Sequence, residues 1–442
     1  MSDCRSCYTC EKGIVKHISV DEFKEAQAKG AVPVEWFTKE SSGDCINCVS
    51  CEKCFSGQTG ASKGKKIFNY FLFLTNECNL RCTYCYATKV PLVMTQETIE
   101  QVKLFLTRDE ELRVGEHDIS IQFFGGEPTL RWDDLQRFVT EFTVLYDKLY
   151  GRKVRWGMTT NATQLTRERL EFMKQYDIKP LLSIDGRPET HDIHRKCIDG
   201  SGSAHMIPLD LIMEYFPTPE IRPTITADSI TNWISDIEWF YSKGLHLVAT
   251  EVAYEDNWTP VAMAEARRVY EDLADIYVQR RLAGLPMWMK FIQDGLGFAG
   301  VTEQKGKVCG IGLNGLAIDA AGKLYACQRY ASMSDSALAL GDIWSGLDEH
   351  KLTVANSMGR EEMMPDPASG YVCEGCVARW RCRGGCNAMN YQITGDRRYI
   401  TKSHCDFHRM WAEISLVALA RTGELWGKKY PQLAVCGESL EK

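Results

Sequence analysis

Three cysteines in the first third of the chain have the spacing of a metal-binding loop. Cys78, Cys82 and Cys85 form the pattern Cys-x3-Cys-x2-Cys, and the aromatic residue Tyr84 precedes the last of them. Three thiolates on one loop can hold three irons of a 4Fe-4S cube and leave the fourth iron open. An open iron can chelate the amino and carboxylate groups of a small molecule. The triplet therefore predicts an iron–sulfur site that binds a substrate or cofactor.

The whole chain has 19 cysteines among 442 residues. A chain of this length buries a large core without disulfide bonds, and an odd number of cysteines does not suit a disulfide framework. Nearly all of them lie in short-spaced groups or can complete one, which favours metal or iron–sulfur ligation. Cys197 and Cys436 stand alone and are predicted to be small buried hydrophobic residues.

Six apolar, β-rich segments alternate with amphipathic segments between residues 67 and 295. The predicted strands are 67–75, 119–124, 154–160, 181–185, 221–226 and 245–252. The predicted helices between and after them are 95–111, 132–150, 166–177, 203–215, 231–243 and 260–283. This alternation predicts an α/β fold of parallel β/α units that closes partly into a barrel, with functional side chains at the carboxyl ends of the strands. An open doubly wound sheet is the structural alternative.

The second predicted strand ends in two glycines and a carboxylate. Gly125 and Gly126 allow a close backbone approach, and Glu127 can accept a hydrogen bond from an ammonium group. Together with the cysteine triplet after the first strand, this segment resembles the radical S-adenosylmethionine (radical SAM) enzymes, from about residue 67 onward. The resemblance implies a partial (β/α)6 barrel in which the triplet holds a 4Fe-4S cluster and the Gly-Gly-Glu segment meets the methionine amino group of the cofactor. An ordinary strand-to-helix turn is the alternative for these residues.

The resemblance also implies cofactor contacts at Tyr84, Asn161, Ser183 and Arg195. Asn161 follows the third predicted strand and Ser183 lies at the carboxyl end of the fourth, where a β/α barrel places its site. The Arg195 guanidinium can pair with the carboxylate of the cofactor. Taken singly, these residues equally suit turn or cap positions.

The last third of the chain carries a second, longer cysteine pattern. It reads Cys-x12-Gly-x4-Cys, then Cys-x2-Cys-x5-Cys-x3-Cys, then one further cysteine. The pattern resembles the seven-cysteine SPASM domain of radical SAM enzymes that modify peptides and proteins, whereas a zinc ribbon needs only four ligands. The resemblance implies two auxiliary 4Fe-4S clusters. The first would be held by Cys309, Cys327 and Cys386, and the second by Cys373, Cys376, Cys382 and Cys405.

Two positions depart from the anaerobic sulfatase-maturating enzymes. Those enzymes have an extra cysteine shortly after the first one of the pattern, and residues 310–315 contain none. They also have an acidic base directly after the second cysteine, where this chain has Gln328. Both differences disfavour sulfatase maturation. An auxiliary iron without its own cysteine can instead bind a substrate thiolate, as proposed for thioether-forming maturases.

The N-terminal cysteines allow several interpretations. Cys45, Cys48, Cys51 and Cys54 have ferredoxin-like spacing, and three earlier cysteines at 4, 7 and 10 can supply more ligands. A fourth 4Fe-4S cluster, a structural zinc site and a substrate-like peptide are the three hypotheses. The expected organisation is a cysteine-rich segment at 1–66, a radical SAM core at 67–295 and an auxiliary-cluster domain at 296–442.

Composition restricts the partners. The net charge of −7 disfavours a general nucleic-acid binder. The longest apolar stretch, 71–74, is too short to cross a bilayer, and the N-terminus shows no secretory signal. The expected location is the cytoplasm, without a nucleic-acid or membrane partner. We expect no metal site built from the nine histidines.

The resemblance implies an enzyme that cleaves S-adenosylmethionine to a 5′-deoxyadenosyl radical and abstracts hydrogen from a bound peptide. The expected product is a crosslinked ribosomal peptide, with a thioether as the first choice, as in the sactipeptide-type maturases. The expected partners are a cysteine-containing peptide and a low-potential electron donor such as flavodoxin or ferredoxin. The alternatives are protein oxidation of the sulfatase-maturase kind and a non-catalytic iron–sulfur electron carrier.

Overall fold

The computed structural model describes most of the chain between residues 67 and 422. The described ranges are 67–113, 118–285, 287, 289–295, 312, 315–357, 362–378, 382 and 384–422. They belong to two compact units, a larger one from Lys65–Val269 and Val301–Met410 and a smaller one that includes Tyr270–Gly300 and Trp411–Lys442. All the site residues discussed below belong to the larger unit.

Strands and helices alternate through the first part of the larger unit. The strands are β1 Ile67–Phe73, β2 Asp118–Phe124, β3 Arg155–Thr160, β4 Lys179–Leu182, β5 Glu220–Ile221, β6 Thr224–Ile225, β7 Glu251–Val252, β8 Gly315–Ile318, β9 Lys323–Tyr325, β10 Gly341–Asp342, β11 Gly346–Leu347, β12 Met364–Pro365 and β13 Tyr399–Ile400. The helices are α1 Gln96–Arg113, α2 Trp132–Tyr150, α3 Arg167–Gln175, α4 Pro188–His194, α5 Leu209–Tyr215, α6 Trp233–Ser242, α7 Pro260–Leu282, α8 Lys290–Gly295, α9 Gln328–Ser332, α10 Glu349–Ser357, α11 Asn387–Thr394 and α12 Lys402–Arg421. None of the helices in the described ranges is long and apolar enough to span a membrane.

The main sheet has nine strands in the order β11-β10-β9-β8-β1-β2-β3-β4-β5. In the half of the sheet ordered β8-β1-β2-β3-β4-β5, neighbouring strands are parallel. In the half ordered β11-β10-β9-β8, neighbouring strands are antiparallel. In β1 and β2 the last residues, Phe73 and Phe124, are partners, and Thr160 of β3 is the partner of Leu182 of β4. The carboxyl ends of β1 to β4 therefore lie along one edge of a parallel sheet, and the loops that follow them lie side by side.

The first four strands predicted from the sequence are confirmed, as are the helices between them. The fifth predicted strand is interrupted at Arg222 and Pro223, between β5 and β6, because proline has no N–H to donate to a ladder. Of the sixth, 245–252, only β7 is a strand, although Val248 forms a parallel bridge with Ile221. The fold is a mixed α/β structure with a mainly parallel sheet. Partial closure into a six-stranded barrel stays a prediction.

An aromatic cluster fixes α2 to the sheet. The rings of Phe123 in β2 and Trp156 in β3 stack at 5.9 Å, and Phe138 of α2 packs edge-on against both. Gly151 ends α2 in the left-handed conformation, with its N–H donating to the Asp147 carbonyl at 2.7 Å. Fully buried side chains of this size contribute about 2–3 kcal/mol each. The cluster therefore packs α2 firmly against β2 and β3, the two strands that precede the glycine turn and Asn161.

Candidate functional site

The three cysteines of the predicted iron–sulfur loop lie on the segment that follows β1. Cys78, Cys82 and Cys85 are each partly buried, and the backbone N–H of Cys85 donates to the Cys82 carbonyl at 3.1 Å. The backbone N–H of Leu80 donates to Sγ of Cys78 at 3.4 Å. An N–H group directed at a thiolate stabilises its negative charge, as ligation of an iron–sulfur cluster requires.

The surroundings of Cys78 and Cys82 oppose ionisation of these two thiols without a cation. Burial raises the pKa of Cys78, and it raises the pKa of Cys82 to about 11. The ammonium of Lys89 donates to Sγ of Cys85 at 3.0 Å. A buried thiolate needs a compensating positive charge, which a cluster of iron ions supplies. The three side chains therefore fit the cluster implied by the resemblance.

The glycine turn after β2 packs directly on the cysteine loop. The N–H of Gly126 donates to the Thr75 carbonyl at 3.0 Å, and that of Glu127 donates to the Glu77 carbonyl at 2.8 Å. Gly125 has φ of 124°, and a Cβ atom on Gly126 would lie 1.8 Å from the Glu77 carbonyl oxygen. Only glycine fits these positions. The close approach expected from the sequence is therefore present, and it is made to the cysteine loop itself.

The Glu127 carboxylate is buried and accepts four hydrogen bonds from the protein. Oε1 accepts from the N–H and hydroxyl of Thr129 at 3.1 and 2.7 Å and from the Thr160 hydroxyl at 2.7 Å. Oε2 accepts from the backbone N–H of Asn161 at 2.8 Å. Burial raises the pKa of Glu127, and these hydrogen bonds oppose the rise. Since each carboxylate oxygen has about two lone pairs, Oε2 keeps acceptor capacity. Its contact with an ammonium group stays a prediction.

Asn161 connects the end of β3 to the cysteine loop. Its Nδ2 donates to Oδ1 of Asn79 at 2.9 Å and lies 4.0 Å from Sγ of Cys78. Its Oδ1 accepts from the N–H and the hydroxyl of Thr163 at 3.1 and 2.7 Å. The Asn79 amide in turn donates to the Thr163 hydroxyl at 2.8 Å. The side chain of Asn161 is thus held at both ends, and it fixes the loop beside Cys78.

An ion pair that the sequence analysis missed lies at the end of β4. Arg195 donates through Nε and Nη2 to the two carboxylate oxygens of Asp185, both at 2.9 Å. The backbone N–H of Thr224 donates to Oδ1 at 2.9 Å, and the Tyr84 hydroxyl donates to Oδ2. Asp185 is buried. Burial opposes its ionisation, but the Arg195 charge and the hydrogen bonds from Arg195 and Tyr84 together outweigh burial and lower the pKa of Asp185. The signal available in the sequence was a carboxylate two residues after Ser183.

The residues expected to contact a cofactor lie along one edge of the sheet. The backbone N–H of Ser183 donates to the Thr160 carbonyl at 2.9 Å, which places Ser183 beside the end of β3. The Arg195 guanidinium lies 5.5 Å from the centre of the Tyr84 ring. The structure thus brings together Tyr84, Gly125, Gly126, Glu127, Asn161, Ser183 and Arg195. Their contacts with S-adenosylmethionine stay predictions.

Cys327 and Cys386 stand immediately before helices α9 and α11. The partly buried Tyr86, which follows Cys85, is close to both. Burial raises the pKa of Tyr86, the Arg329 charge opposes the rise, and the thiols of Cys85, Cys327 and Cys386 add to it. The Arg329 guanidinium lies 4.2 Å above the Tyr86 ring. Tyr86 and Arg329 are therefore close to the first cysteine loop and to the Cys327–Cys386 pair.

Four further cysteines line one small cavity. They are Cys373, Cys376, Cys382 and Cys405, and the lining also includes His408 and Arg409. Burial raises the pKa of Cys405 to about 12, and the three neighbouring thiols add to the rise. Four thiols that face one cavity need a metal cation to ionise together, so they fit a cluster or a zinc ion. The remaining predicted ligands, Cys309, Cys45, Cys48, Cys51 and Cys54, lie outside the described residues.

The sequence analysis expected no histidine metal site, but two histidines lie in a group of potential metal ligands. The ligand atoms of Cys382, His404 and His408 lie within 4.8 Å of one another, the one such His/Cys/Asp/Glu group among the described residues. Burial lowers the pKa of His404 to about 4, so the ring is neutral at pH 7. The missed signal was a His-x3-His pair, which places both rings on one face of a helix.

Residues 72–207 match the Radical SAM superfamily model, so the chain contains a radical SAM domain. The match spans the cysteine loop, the glycine turn and the Asp185–Arg195 pair. It is the part of the chain in which the carboxyl ends of β1 to β4 converge on the three thiols.

Curated relatives are similar to the chain over about a third of its length. The radical SAM cyclopropyl synthase TigE of Paramaledivibacter caminithermalis is 26% identical over 155 residues, which cover 32% of this chain and 31% of that protein. A cysteine-type anaerobic sulfatase-maturating enzyme of Clostridium novyi is 27% identical over 173 residues, covering 38% and 46%. The chain thus spans less than half the length of these relatives.

Two solved structures have a similar fold over more of the chain. A structure of anSMEcpe with bound AdoMet and Cp18Cys peptide has a TM-score of 0.63 at 17% identity and covers 81% of this chain and 99% of that one. Streptococcus suis SuiB bound to precursor peptide SuiA has a TM-score of 0.50 at 15% identity, covering 87% and 88%. At these identities the likeness concerns the fold alone.

Proposed function

We propose that this protein is a radical SAM enzyme that abstracts hydrogen from a peptide or protein and thereby installs a post-translational modification. The observation that carries the proposal is the position of the cysteine triplet. Its loop is hydrogen-bonded to the ends of β2 and β3, at the carboxyl edge where a β/α sheet binds its ligands. An electron-carrying cluster needs no such polar edge beside it.

Cys78, Cys82 and Cys85 would hold the 4Fe-4S cluster. When bound, the cluster and S-adenosylmethionine supply the 5′-deoxyadenosyl radical. The chain fixes the loop on two sides. Asn161 bonds to its first half, and the N–H of Thr83 donates to the His194 carbonyl at 3.1 Å in its second half. A preformed loop loses little conformational entropy when it binds a cluster.

In this proposal, different residues of the polar edge beside the loop bind different parts of the cofactor. Glu127 Oε2 and the nearby carbonyl groups would receive the amino group of the cofactor. The remaining parts of S-adenosylmethionine would be bound by Tyr84, Ser183 and Arg195. Because Arg195 is paired with Asp185, we assign it a contact through the N–H groups that the pair leaves unused. Burial of this pair keeps the local dielectric constant low, and that strengthens each polar contact with the cofactor.

The C-terminal cysteines would hold auxiliary clusters. Cys309, Cys327 and Cys386 form the first ligand set. Cys373, Cys376, Cys382 and Cys405 form the second, and their shared cavity supports it. With the loop cluster the chain would carry three 4Fe-4S clusters, and a fourth if the N-terminal cysteines bind iron.

The proposed substrate is a peptide or small protein that contains cysteine, and the proposed bond is a thioether or another side-chain crosslink. Both solved neighbours were crystallised with peptides, as their descriptions state. Forming a thioether from a thiol and a C–H group releases two hydrogens, one as an abstracted atom and one as a proton, and one electron. Auxiliary clusters would accept that electron. A low-potential flavodoxin or ferredoxin would supply the loop cluster, and the cytoplasm is the proposed location.

Protein oxidation of the sulfatase-maturase kind is the second candidate, because a sulfatase-maturating enzyme is among the relatives. Gln328 weighs against it. This residue begins α9 directly after Cys327, and an amide cannot act as the general base that a carboxylate provides.

The decisive experiment is anaerobic turnover with dithionite, S-adenosylmethionine and a short cysteine-rich peptide encoded beside the gene. We expect 5′-deoxyadenosine together with a peptide that has lost two hydrogens for each crosslink. Iodoacetamide then shows whether a thiol has been consumed. Absence of 5′-deoxyadenosine from protein with a full iron complement would refute the radical SAM proposal. Formation of 5′-deoxyadenosine with formylglycine in the peptide would favour the second candidate.

A further inference from the structure

Two histidines and a cysteine form a compact group of potential metal ligands. His404 and His408 are four residues apart on α12, and their ring centres are 3.9 Å apart. With all three ligand atoms within 4.8 Å of one another, small side-chain adjustments bring them around one metal atom. Two histidines at i and i+4 on a helix are a recurring ligand arrangement.

His404 lacks the hydrogen bonds that a buried imidazole normally makes. The residue is 5% exposed, and neither Nδ1 nor Nε2 has a partner among the described residues. A neutral imidazole has one donor and one acceptor nitrogen, and a buried nitrogen without a partner loses the hydrogen bond that it makes with water in the unfolded chain. Buried polar groups without partners are rare in folded proteins. A metal on the acceptor nitrogen would satisfy it.

The donor set restricts the metal. One thiolate and two imidazoles suit zinc or iron, whereas magnesium and calcium prefer oxygen ligands. Cys382 also lines the cavity shared with Cys373, Cys376 and Cys405. The metal can therefore be an iron of a cluster in that cavity or a single zinc ion.

We propose that Cys382, His404 and His408 form a mixed thiolate–imidazole site for iron or zinc, with a ring nitrogen of His404 bonded to the metal. The four-cysteine cluster proposed above and this site both use Cys382, so an imidazole would replace one of the cysteine ligands of that cluster or would bind a metal ion held there in its place. The imidazole is the new element, because the resemblance implies cysteine ligands alone. The proposal does not depend on peptide modification. Loss of 5′-deoxyadenosine formation would leave it intact, and its failure would leave the proposed reaction intact.

The test uses the full chain labelled with 15N-histidine, carrying Cys78→Ala, Cys82→Ala and Cys85→Ala so that the loop cluster contributes no signal. One sample is reconstituted with Fe2+ and sulfide, reduced, and measured by pulsed electron paramagnetic resonance. A second is loaded with Zn2+ alone and measured by zinc X-ray absorption. Iron ligation predicts a strong 15N coupling in the first sample, and zinc ligation predicts a nitrogen shell in the second.

Histidine variants show which residue supplies the metal-bound nitrogen. His404→Phe is expected to remove the 15N coupling or to diminish the nitrogen shell, because phenylalanine has no ring nitrogen. Phenylalanine is chosen because its ring fills the same space beside Tyr254, whose ring lies 4.9 Å from His404. The control His350→Phe alters an exposed histidine outside the group and should leave the signal unchanged. If neither the iron sample nor the zinc sample with all histidines intact shows a metal-bound histidine nitrogen, the proposal is overturned. A nitrogen signal that is undiminished in His404→Phe overturns the assignment to His404.

Discussion

Arg195 and Asp185 form a two-point ion pair in which both side chains are almost completely buried, with relative exposures of 7% and 3% for the two residues. The pair joins the end of β4 to the segment after α4, and the Tyr84 hydroxyl attaches the cysteine loop to it. An ion pair in this position links three separate parts of the chain at the point where the cofactor is expected.

Asp185→Asn is therefore expected to destabilise the protein by about 3–5 kcal/mol, because it leaves the Arg195 charge buried without a counter-charge. The control is Asp177→Asn, which removes one partner of the exposed ion pair with Lys179 and should cost less than about 1 kcal/mol. The free energies of unfolding in urea, measured without added cofactor, compare the two variants. Equal losses in both would mean that the buried pair has no special stabilising role.

The second prediction concerns the ligands of the loop cluster. Cys78→Ala, Cys82→Ala and Cys85→Ala should each abolish 5′-deoxyadenosine formation and leave the C-terminal iron in place, since the two sets of thiols lie on different segments. Cys197→Ala is the matched control: its thiol is partly buried, and its nearest sulfur partner is Met206 at 3.7 Å. The 5′-deoxyadenosine assay and iron analysis read out both effects. If the variant with all three substitutions still forms 5′-deoxyadenosine, these three cysteines are not the ligands of the cluster that cleaves S-adenosylmethionine.

The third prediction tests the carboxylate that links β2 to β3. Glu127→Gln replaces an acceptor oxygen with an NH2 group, which cannot accept from the N–H of Asn161 or from the three donors at Oε1. We expect 5′-deoxyadenosine formation to fall about 10- to 100-fold, as when a reacting group is displaced by about 1 Å. Iron content should change little, because no thiol is altered. Normal turnover by the variant would show that one side-chain oxygen is sufficient and that the negative charge of Glu127 is not needed.

Local sequence patterns predicted much of this fold. Strands β1 to β4 and helix α2 follow directly from apolar periodicity and from glycine at the helix end. The fifth strand was predicted as continuous although Pro223 lies within it, and proline is the residue that breaks a ladder. The pairing of β8 with β1 was not predicted. These strands are more than 200 residues apart, and periodicity carries no information about such partners.

The site was predictable where its chemistry is local. The cysteine spacings and the two glycines could be read directly. Asp185 was overlooked because its role comes from Arg195 and Tyr84, which reach it only in the folded chain. The spacing of His404 and His408 is visible in the sequence, but the burial of His404 and the proximity of both rings to Cys382 arise only in the folded chain.

The fourth prediction concerns the N-terminal cysteines. A variant with Cys45→Ser, Cys48→Ser, Cys51→Ser and Cys54→Ser should bind about four fewer irons per chain if these thiols hold a 4Fe-4S cluster. Cys436→Ser, a cysteine outside every group, serves as the control. Anaerobic iron and sulfide analysis measures the difference. Unchanged iron would leave zinc or free thiols at these positions, and zinc analysis of the same samples separates these two outcomes.

The last prediction concerns the ammonium group beside the loop. Lys89 donates to Sγ of Cys85 at 3.0 Å, and a positive charge next to a ligand sulfur stabilises the more negative, reduced state of a cluster. Lys89→Met keeps the length of the side chain but removes the charge. The reduction potential of the loop cluster should therefore become more negative by about 30–60 mV, which corresponds to about 0.7–1.4 kcal/mol for one electron.

A redox titration followed by electron paramagnetic resonance measures this potential. The loop cluster is recognised as the one whose spectrum changes when S-adenosylmethionine is added. Lys179→Met is the control, because Lys179 forms an exposed pair with Asp177 at the start of β4 and should leave the potential unchanged. A shift to a more positive potential in Lys89→Met would mean that the ammonium does not stabilise the reduced cluster. Cys85 would then owe its ionisation to the iron alone.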